Sequence, residues 1–175
     1  MAAEAKGYSL WIKPYGQTSF DLQARIDTLA ETFGTSKFEP HITLFPGLED
    51  SEASLINSTD ILAHNLTPFE FTLTKIGYGD HYFHALYINV EQTPELMHTR
   101  ELAERIFDMP PPRNFNPHLS LMYCDFTIHE KARITNTEKQ VYNLSFEVHG
   151  LHLVKTQGTP DKWEKIHYAD FGSNQ

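Results

Sequence analysis

Residues 38–45 read Phe-Glu-Pro-His-Ile-Thr-Leu-Phe, and residues 115–122 read Phe-Asn-Pro-His-Leu-Ser-Leu-Met. Both stretches share an aromatic residue, a polar residue, proline, histidine, an apolar residue, a hydroxyl residue and leucine. The match places one histidine directly after proline in each copy, at His41 and His118. Polar and apolar residues alternate from each histidine onward, which predicts two strands. The repeat therefore predicts two similar α+β half-domains that share a central groove.

Around each stretch the sequence follows one plan, a helix, a proline-containing loop and a strand. Thr18 or Ser19 is the predicted cap of the first helix, and Gly34 is its predicted end. The last third of the chain is predicted to be mostly strand, and residues 1–175 are predicted to form a single domain of two pseudo-symmetric lobes. The predicted elements are helices over about 18–33, 52–64 and 93–107, and strands over 7–13, 38–45, 68–76, 82–90, 117–124, 141–148, 151–155 and 163–168.

Charge and cysteine content narrow the classes of partner and compartment. A net charge of −9 argues against a long nucleic acid as partner, because a polyanion would be repelled. The one cysteine, Cys124, excludes an intramolecular disulfide and fits a reducing compartment. The chain starts without an apolar signal run, and it has no stretch of about 20 apolar residues that could span a bilayer. We therefore expect a cytoplasmic protein with no membrane partner.

The two histidine strands predict a specific chemistry. Side chains two apart on a strand face the same way, so Thr43 should lie beside His41 and Ser120 beside His118. One neutral imidazole can take a proton from water while the other, as imidazolium, gives a proton to a leaving oxygen. The two hydroxyls can hydrogen-bond the non-bridging oxygens of a phosphate. This set suits phosphoryl transfer to water without a metal or other cofactor.

The paired His-x-Thr-Leu and His-x-Ser-Leu motifs, at residues 41–44 and 118–121, resemble those of the 2H (two-histidine) phosphoesterase superfamily. Within it, the overall length, Trp11 on the first strand and the run from His118 to Tyr123 resemble the cyclic phosphodiesterase family. The resemblance implies a bilobal α+β fold, in which two antiparallel sheets with outer helices flank a pseudo-two-fold groove. It also implies that Trp11 and Tyr123 line the groove near the base or ribose, although strict alternation places Tyr123 off the His118 face.

The function that the resemblance implies is metal-independent hydrolysis of ADP-ribose 1″,2″-cyclic phosphate, a by-product of tRNA splicing, to ADP-ribose 1″-phosphate. Nucleoside 2′,3′-cyclic phosphates, opened to 2′-phosphates, would be further substrates. The residues leave open which histidine is the base. In our working assignment His118 activates the attacking water, and His41 protonates the leaving oxygen. We expect a monomer that acts on small nucleotides.

Two other hypotheses fit the same motifs. The first is an RNA-end enzyme of the same superfamily, acting on terminal 2′,3′-cyclic phosphates or 2′-5′ linkages, against which the acidic charge argues. The second is a nucleotide-binding module without turnover, against which the intact histidine and hydroxyl pairs argue. The His81-x-x-His84 and His149-x-x-His152 pairs have the spacing of metal ligands but no neighbouring cysteine, and we interpret them as structural.

Overall fold

Eight strands and four α-helices build the part of the chain that the computed structural model describes, residues 3–110 and 114–172. The order β1-α1-β2-α2 recurs as β4-α3-β5-α4, and the predicted unit of helix, loop and strand corresponds to α1-β2 in one half and α3-β5 in the other. In chain order the elements are β1 (Tyr8–Ile12), α1 (Gly16–Phe33), β2 (Ile42–Leu48), α2 (Glu52–His64), β3 (Phe69–Tyr78), β4 (Leu86–Val90), α3 (Pro94–Ile106), β5 (His118–Met122), α4 (Ile128–Thr137), β6 (Val141–Val148), β7 (Gly150–Lys155) and β8 (Glu164–Asp170), with short 3-10 turns at Tyr82–His84 and Pro160–Lys162.

The strands lie in one antiparallel sheet of order β6-β3-β4-β5-β2-β1-β7-β8. Two halves of four strands meet at its centre, where Ile42 of β2 pairs with Leu119 of β5. The two predicted sheets are these halves, and the Ile42–Leu119 pair joins them into a continuous sheet. Because each half carries its histidine motif on the strand at the seam, the topology brings the two motifs side by side.

One face of the sheet carries the hydrophobic core. Leu10 of β1 and Leu121 of β5 are fully buried there, together with Ile26 of α1 and Leu62 of α2. Burying such a side chain contributes about 1.5–3 kcal/mol relative to leaving it in water. The helices pack on this core, α1 against β5, α2 against β7 and β8, and α4 against β3. None of the described helices has the length and apolarity needed to cross a membrane.

The structure corrects the predicted start of the first helix. It begins at Gly16 with Tyr15 as the N-cap residue, so the predicted capping role of Thr18 or Ser19 is wrong. A positive φ at both Gly16 and Gly34, which glycine adopts without steric cost, sets the two ends of α1. The predicted end at Gly34 is confirmed, because this residue is left-handed with φ of 67° and its N–H binds the Ala30 carbonyl.

Two further elements differ from the sequence prediction. The predicted strand over 82–90 is a 3-10 turn at Tyr82–His84 followed by β4, because the Gly79 N–H binds the Ala85 carbonyl and closes a turn. The last third contains α4, which the prediction of mostly strand omitted. It starts with a capping box, in which the side chains of Thr127 and Glu130 each accept from the other residue's backbone N–H. The sequence shows the corresponding Thr-x-x-Glu pattern.

Candidate active site

A cavity of about 480 Å³ opens on the sheet face opposite the core, at the seam between the two halves. It brings together all six residues that the sequence singled out. They are Trp11, His41, Thr43, His118, Ser120 and Tyr123.

Strand register explains how these side chains converge. Trp11 of β1 lies opposite Thr43 of β2, and their neighbours Ile12 and Ile42 point to the core. On β5, His118 and Ser120 face the cavity while Leu119 between them is fully buried. Tyr123 reaches the same cavity because β5 ends at Met122, so strict alternation no longer applies to it.

Both catalytic candidates are oriented by the same local hydrogen bond. His41 Nδ1 lies 2.6 Å from the carbonyl oxygen of Glu39, and His118 Nδ1 lies 2.8 Å from that of Asn116. A carbonyl only accepts, so each Nδ1 carries hydrogen and each Nε2 is left for chemistry. The intervening prolines fix φ and keep the preceding residue extended, which holds each carbonyl at its histidine.

His41 lies in an enclosed aromatic environment. Its ring stacks on Trp11 with centroids 3.6 Å apart and planes 10° apart, and only 4% of its surface is exposed. The Tyr123 hydroxyl lies 3.4 Å from its Nε2. Burial lowers the pKa of His41 to about 4, and charge on His118 lowers it as well, while the Glu39 carbonyl acts in the opposite sense. The free protein therefore holds His41 as neutral imidazole near neutral pH.

His118 is less enclosed than His41. It is half-buried, and its ring centroid lies 4.5 Å from that of His84 and 5.1 Å from that of Tyr87. Burial lowers the pKa of His118 below its usual value, and the hydrogen bond to the Asn116 carbonyl partly offsets this. Both imidazoles are thus poised to start a reaction without charge.

Three hydroxyl groups face the two imidazoles. Thr43 is half-buried and lines the cavity, and the Ser120 hydroxyl lies 3.5 Å from the Phe83 carbonyl, which it can exchange for a phosphate oxygen. Burial raises the pKa of Tyr123 far above its usual value, which keeps the phenol a neutral donor. Among the described residues that line the cavity, there is no lysine or arginine. An anionic phosphate entering this cavity would meet hydroxyl donors and two imidazoles that are neutral in the free protein.

Sequence reasoning missed part of the cavity wall. Phe83 and Trp163 complete an aromatic enclosure with Trp11 and Tyr123, the Trp163 ring lying 5.7 Å from Trp11 and 5.9 Å from Tyr123. Flat aromatic walls suit a nucleobase. Trp163 was predicted only as a strand residue, and no local pattern marked it or Phe83.

The His81-x-x-His84 pair, interpreted from sequence as structural, also lines the cavity. The prediction placed the pair in a hairpin, with His84 inside the strand over 82–90, but the 3-10 turn that follows His81 brings both side chains to the cavity. In residues 3–110 and 114–172, no group of three or more His, Cys, Asp or Glu side chains is placed to hold a metal ion.

The sequence pattern of the 2′-5′ RNA ligase superfamily matches residues 18–160, a range that includes both histidine motifs. The chain is 25% identical over 170 residues to the cyclic phosphodiesterase of Arabidopsis thaliana, covering 91% of this chain and 92% of that protein. It is 25% identical over 215 residues to the 2′,3′-cyclic-nucleotide 3′-phosphodiesterase of Yarrowia lipolytica, covering 94% of this chain and 100% of that protein.

A solved structure shares the fold at lower sequence identity. The structure of Escherichia coli LigT complexed with 3′-AMP superposes with a TM-score of 0.61 at 14% identity, over 97% of this chain and 100% of that one. The likeness confirms the predicted α+β architecture, in which two antiparallel half-sheets flank a groove.

Proposed function

Because the chain belongs to the 2′-5′ RNA ligase superfamily, the two-histidine phosphoesterases, we propose that it hydrolyses ADP-ribose 1″,2″-cyclic phosphate to ADP-ribose 1″-phosphate. It is an enzyme that opens cyclic phosphodiesters. Nucleoside 2′,3′-cyclic phosphates, opened to 2′-phosphates, are the further proposed substrates, and removal of a tRNA-splicing by-product is the proposed role. The names of the Arabidopsis and Yarrowia relatives support this substrate class.

The observation that carries the proposal is the matched orientation of the two imidazoles. His41 and His118 line one cavity, and each uses Nδ1 on the carbonyl two residues earlier. Their Nε2 atoms are therefore the groups available to exchange protons with a substrate. A pair of core histidines would not need the same tautomer in the same cavity, beside one hydroxyl each.

The proposed reaction is an in-line displacement at phosphorus. His118 Nε2 takes a proton from water as the water oxygen bonds to phosphorus. At the same time the bond breaks between phosphorus and the sugar oxygen that closes the cyclic phosphate. His41, protonated on Nε2 in the complex, gives that proton to the departing oxygen, which remains on the sugar. Thr43 and Ser120 donate hydrogen bonds to the non-bridging oxygens as charge shifts onto them.

Access to water supports this division of roles. His118 is the more exposed of the two and is open to water, while His41 is enclosed by the aromatic wall that would hold the nucleoside and its leaving oxygen. In the free protein, no carboxylate is among the described residues that line the cavity around His41. Binding places the negative phosphodiester next to it, and this charge raises the pKa of His41 so that the imidazole can be protonated in the complex. Each proton transfer is typically worth about 10² to 10⁴ in rate.

Turnover of ADP-ribose 1″,2″-cyclic phosphate by the purified protein in excess chelator tests the proposal. The expected result is ADP-ribose 1″-phosphate, formed at the same rate with and without chelator. Parallel assays use adenosine 2′,3′-cyclic phosphate and a short RNA that ends in a 2′,3′-cyclic phosphate. A clear preference for the RNA would favour the RNA-end hypothesis, binding without turnover would favour the binding module, and chelator sensitivity would overturn the metal-independent mechanism.

A further inference from the structure

His84 is a third histidine in the catalytic cavity, outside the two motifs and without a role in the proposed reaction. It closes the 3-10 turn that precedes β4. Its ring meets that of His118 edge-on, with centroids 4.5 Å apart and planes 63° apart. Burial lowers the pKa of His84 to about 4, and charge on His118 lowers it further, so His84 is neutral in the free protein near neutral pH.

The chain makes space for this ring with two glycines. A Cβ at Gly79 would lie 2.7 Å from His84 Nδ1 and 2.6 Å from its carbonyl oxygen, closer than van der Waals contact allows. A Cβ at Gly77 would lie 2.8 Å from the ring of Tyr87, on which His84 stacks with centroids 3.9 Å apart. The Gly77-Tyr78-Gly79 sequence thus admits a stacked Tyr87–His84 pair beside His118.

The turn that carries His84 is tied to the body of the protein. Lys131 of α4, whose surface is only 1% exposed, donates from Nζ to the Gly79 carbonyl at 2.9 Å. The Gly79 N–H in turn binds the Ala85 carbonyl at 3.1 Å. A lysine is rarely buried unless its ammonium group has a partner, and here the Gly79 carbonyl is that partner. His84 therefore stands on a fixed support.

A short chain of contacts runs from His84 to His118. His84 Nε2 lies 3.4 Å from Nδ2 of Asn116, so the neutral imidazole accepts from the amide. The backbone carbonyl of Asn116 is the acceptor of the His118 Nδ1 hydrogen bond. Holding the Asn116 side chain thus restrains the group that selects the His118 tautomer.

We propose that His84 is a positioning residue for the reaction proposed above: by holding Asn116, it keeps His118 in the tautomer whose Nε2 faces the substrate. The other half of the site has a counterpart. Glu39, two residues before His41, is held by Lys13 and Lys165. Each carbonyl that orients a catalytic imidazole therefore belongs to a residue whose side chain is itself tied down, by two lysines in one half and by a histidine in the other.

The test uses His84→Phe, which keeps a ring on Tyr87 but lacks the nitrogen acceptor, and His84→Gln, which restores a polar acceptor. The matched control is His98→Gln, at an exposed position on α3. Nitrogen–proton correlation spectra of the imidazoles report the His118 tautomer in the free protein, and steady-state kinetics with a hydrolysed cyclic phosphate report kcat and KM. Thermal melting verifies that each variant is folded.

In the wild type and in His98→Gln, His118 should be protonated on Nδ1 alone. His84→Phe should show a mixture of tautomers and a kcat lower by about tenfold, with KM within about twofold, by analogy with the partners that orient metal-bound histidines, whose loss costs about 10- to 100-fold. His84→Gln should recover most of the single-tautomer signal of His118 and most of the wild-type kcat. An unchanged His118 tautomer in His84→Phe would overturn the proposal, and so would a raised KM with unchanged kcat. The spectra need no substrate, so they decide the positioning role even if the proposed hydrolysis is not found.

Discussion

The two histidine motifs match in residue type along their length, yet the structure gives them different surroundings. His41 is buried, stacked on Trp11 and contacted at Nε2 by Tyr123. His118 is half-buried and neighbours His84 rather than a tryptophan. What the motifs share is the bond from Nδ1 to the carbonyl two residues earlier. The repeat therefore orients both imidazoles, and the neighbouring strands and turns give each one its own exposure and charge preference.

Loss of either imidazole should have the largest effect. His41→Ala and His118→Ala should each lower kcat by about 10² to 10⁴, because each removes one proton transfer from the same transition state. The double variant should be little less active than the less active single variant, because the effects of two groups that act as a unit do not add. Activity with adenosine 2′,3′-cyclic phosphate is the measurement, and His98→Ala is the control. Activity of either single variant within a few-fold of wild type would refute the paired role.

Removing a hydroxyl should have a smaller effect. Thr43→Val and Ser120→Ala should each lower kcat by about 10²-fold, because a donor to the developing charge on a phosphate oxygen is lost while shape is nearly kept. Thr43→Ser keeps the donor and is the matched control. Kinetics of the three variants separate this role from packing: Thr43→Ser should stay close to wild type, and a loss in Thr43→Ser equal to that in Thr43→Val would show that side-chain shape at this position, rather than the hydroxyl donor, sets the rate.

The smallest effect should be on how the free energy of unfolding depends on pH, and it tests the difference in burial between His41 and His118. The folded pKa of His41 is lowered from 6.5 to about 4, so the unfolded chain binds a proton that the folded chain excludes. The free energy of unfolding should therefore fall as pH is lowered from 6.5 towards 4, with His41 contributing at most about 3 kcal/mol.

Denaturant unfolding of wild type, His41→Gln and His118→Gln across this pH range measures the effect. His41→Gln should flatten the slope more than His118→Gln, because His41 is the more deeply buried. Two half-buried histidines with lowered pKa values, His84 and His152, add to the wild-type slope in the same direction. Equal slopes in the two variants would mean that the histidines differ less in burial than the structure shows.

Much of the site could be predicted from two eight-residue stretches. Period-2 alternation placed Thr43 with His41 and Ser120 with His118, because strand geometry is local. The repeat also predicted that both sets share a groove, which the pairing of Ile42 with Leu119 brings about. These predictions depended on residues adjacent in sequence or related by the repeat.

The residues that were missed depend on contacts between distant segments. Trp163 reaches Tyr123 from the far end of the chain, and Tyr123, which only the family resemblance placed in the groove, reaches His41 because β5 ends at Met122. The role of His84 depends on a 3-10 turn that the prediction treated as strand. Its one local sign is the Gly77-Tyr78-Gly79 sequence just before it. In α4, by contrast, the capping box was present in the sequence and could have been identified.

The most direct test of paired-histidine hydrolysis is phosphorus NMR of adenosine 2′,3′-cyclic phosphate after turnover in ¹⁸O-labelled water with excess chelator. In-line attack by water with loss of the 3′-oxygen predicts one product, adenosine 2′-phosphate, carrying one ¹⁸O on phosphorus. The same signal should be absent with His41→Ala and with His118→Ala. A 3′-phosphate, a mixture of the two isomers, or a product without the label would contradict the proposed geometry of the two imidazoles.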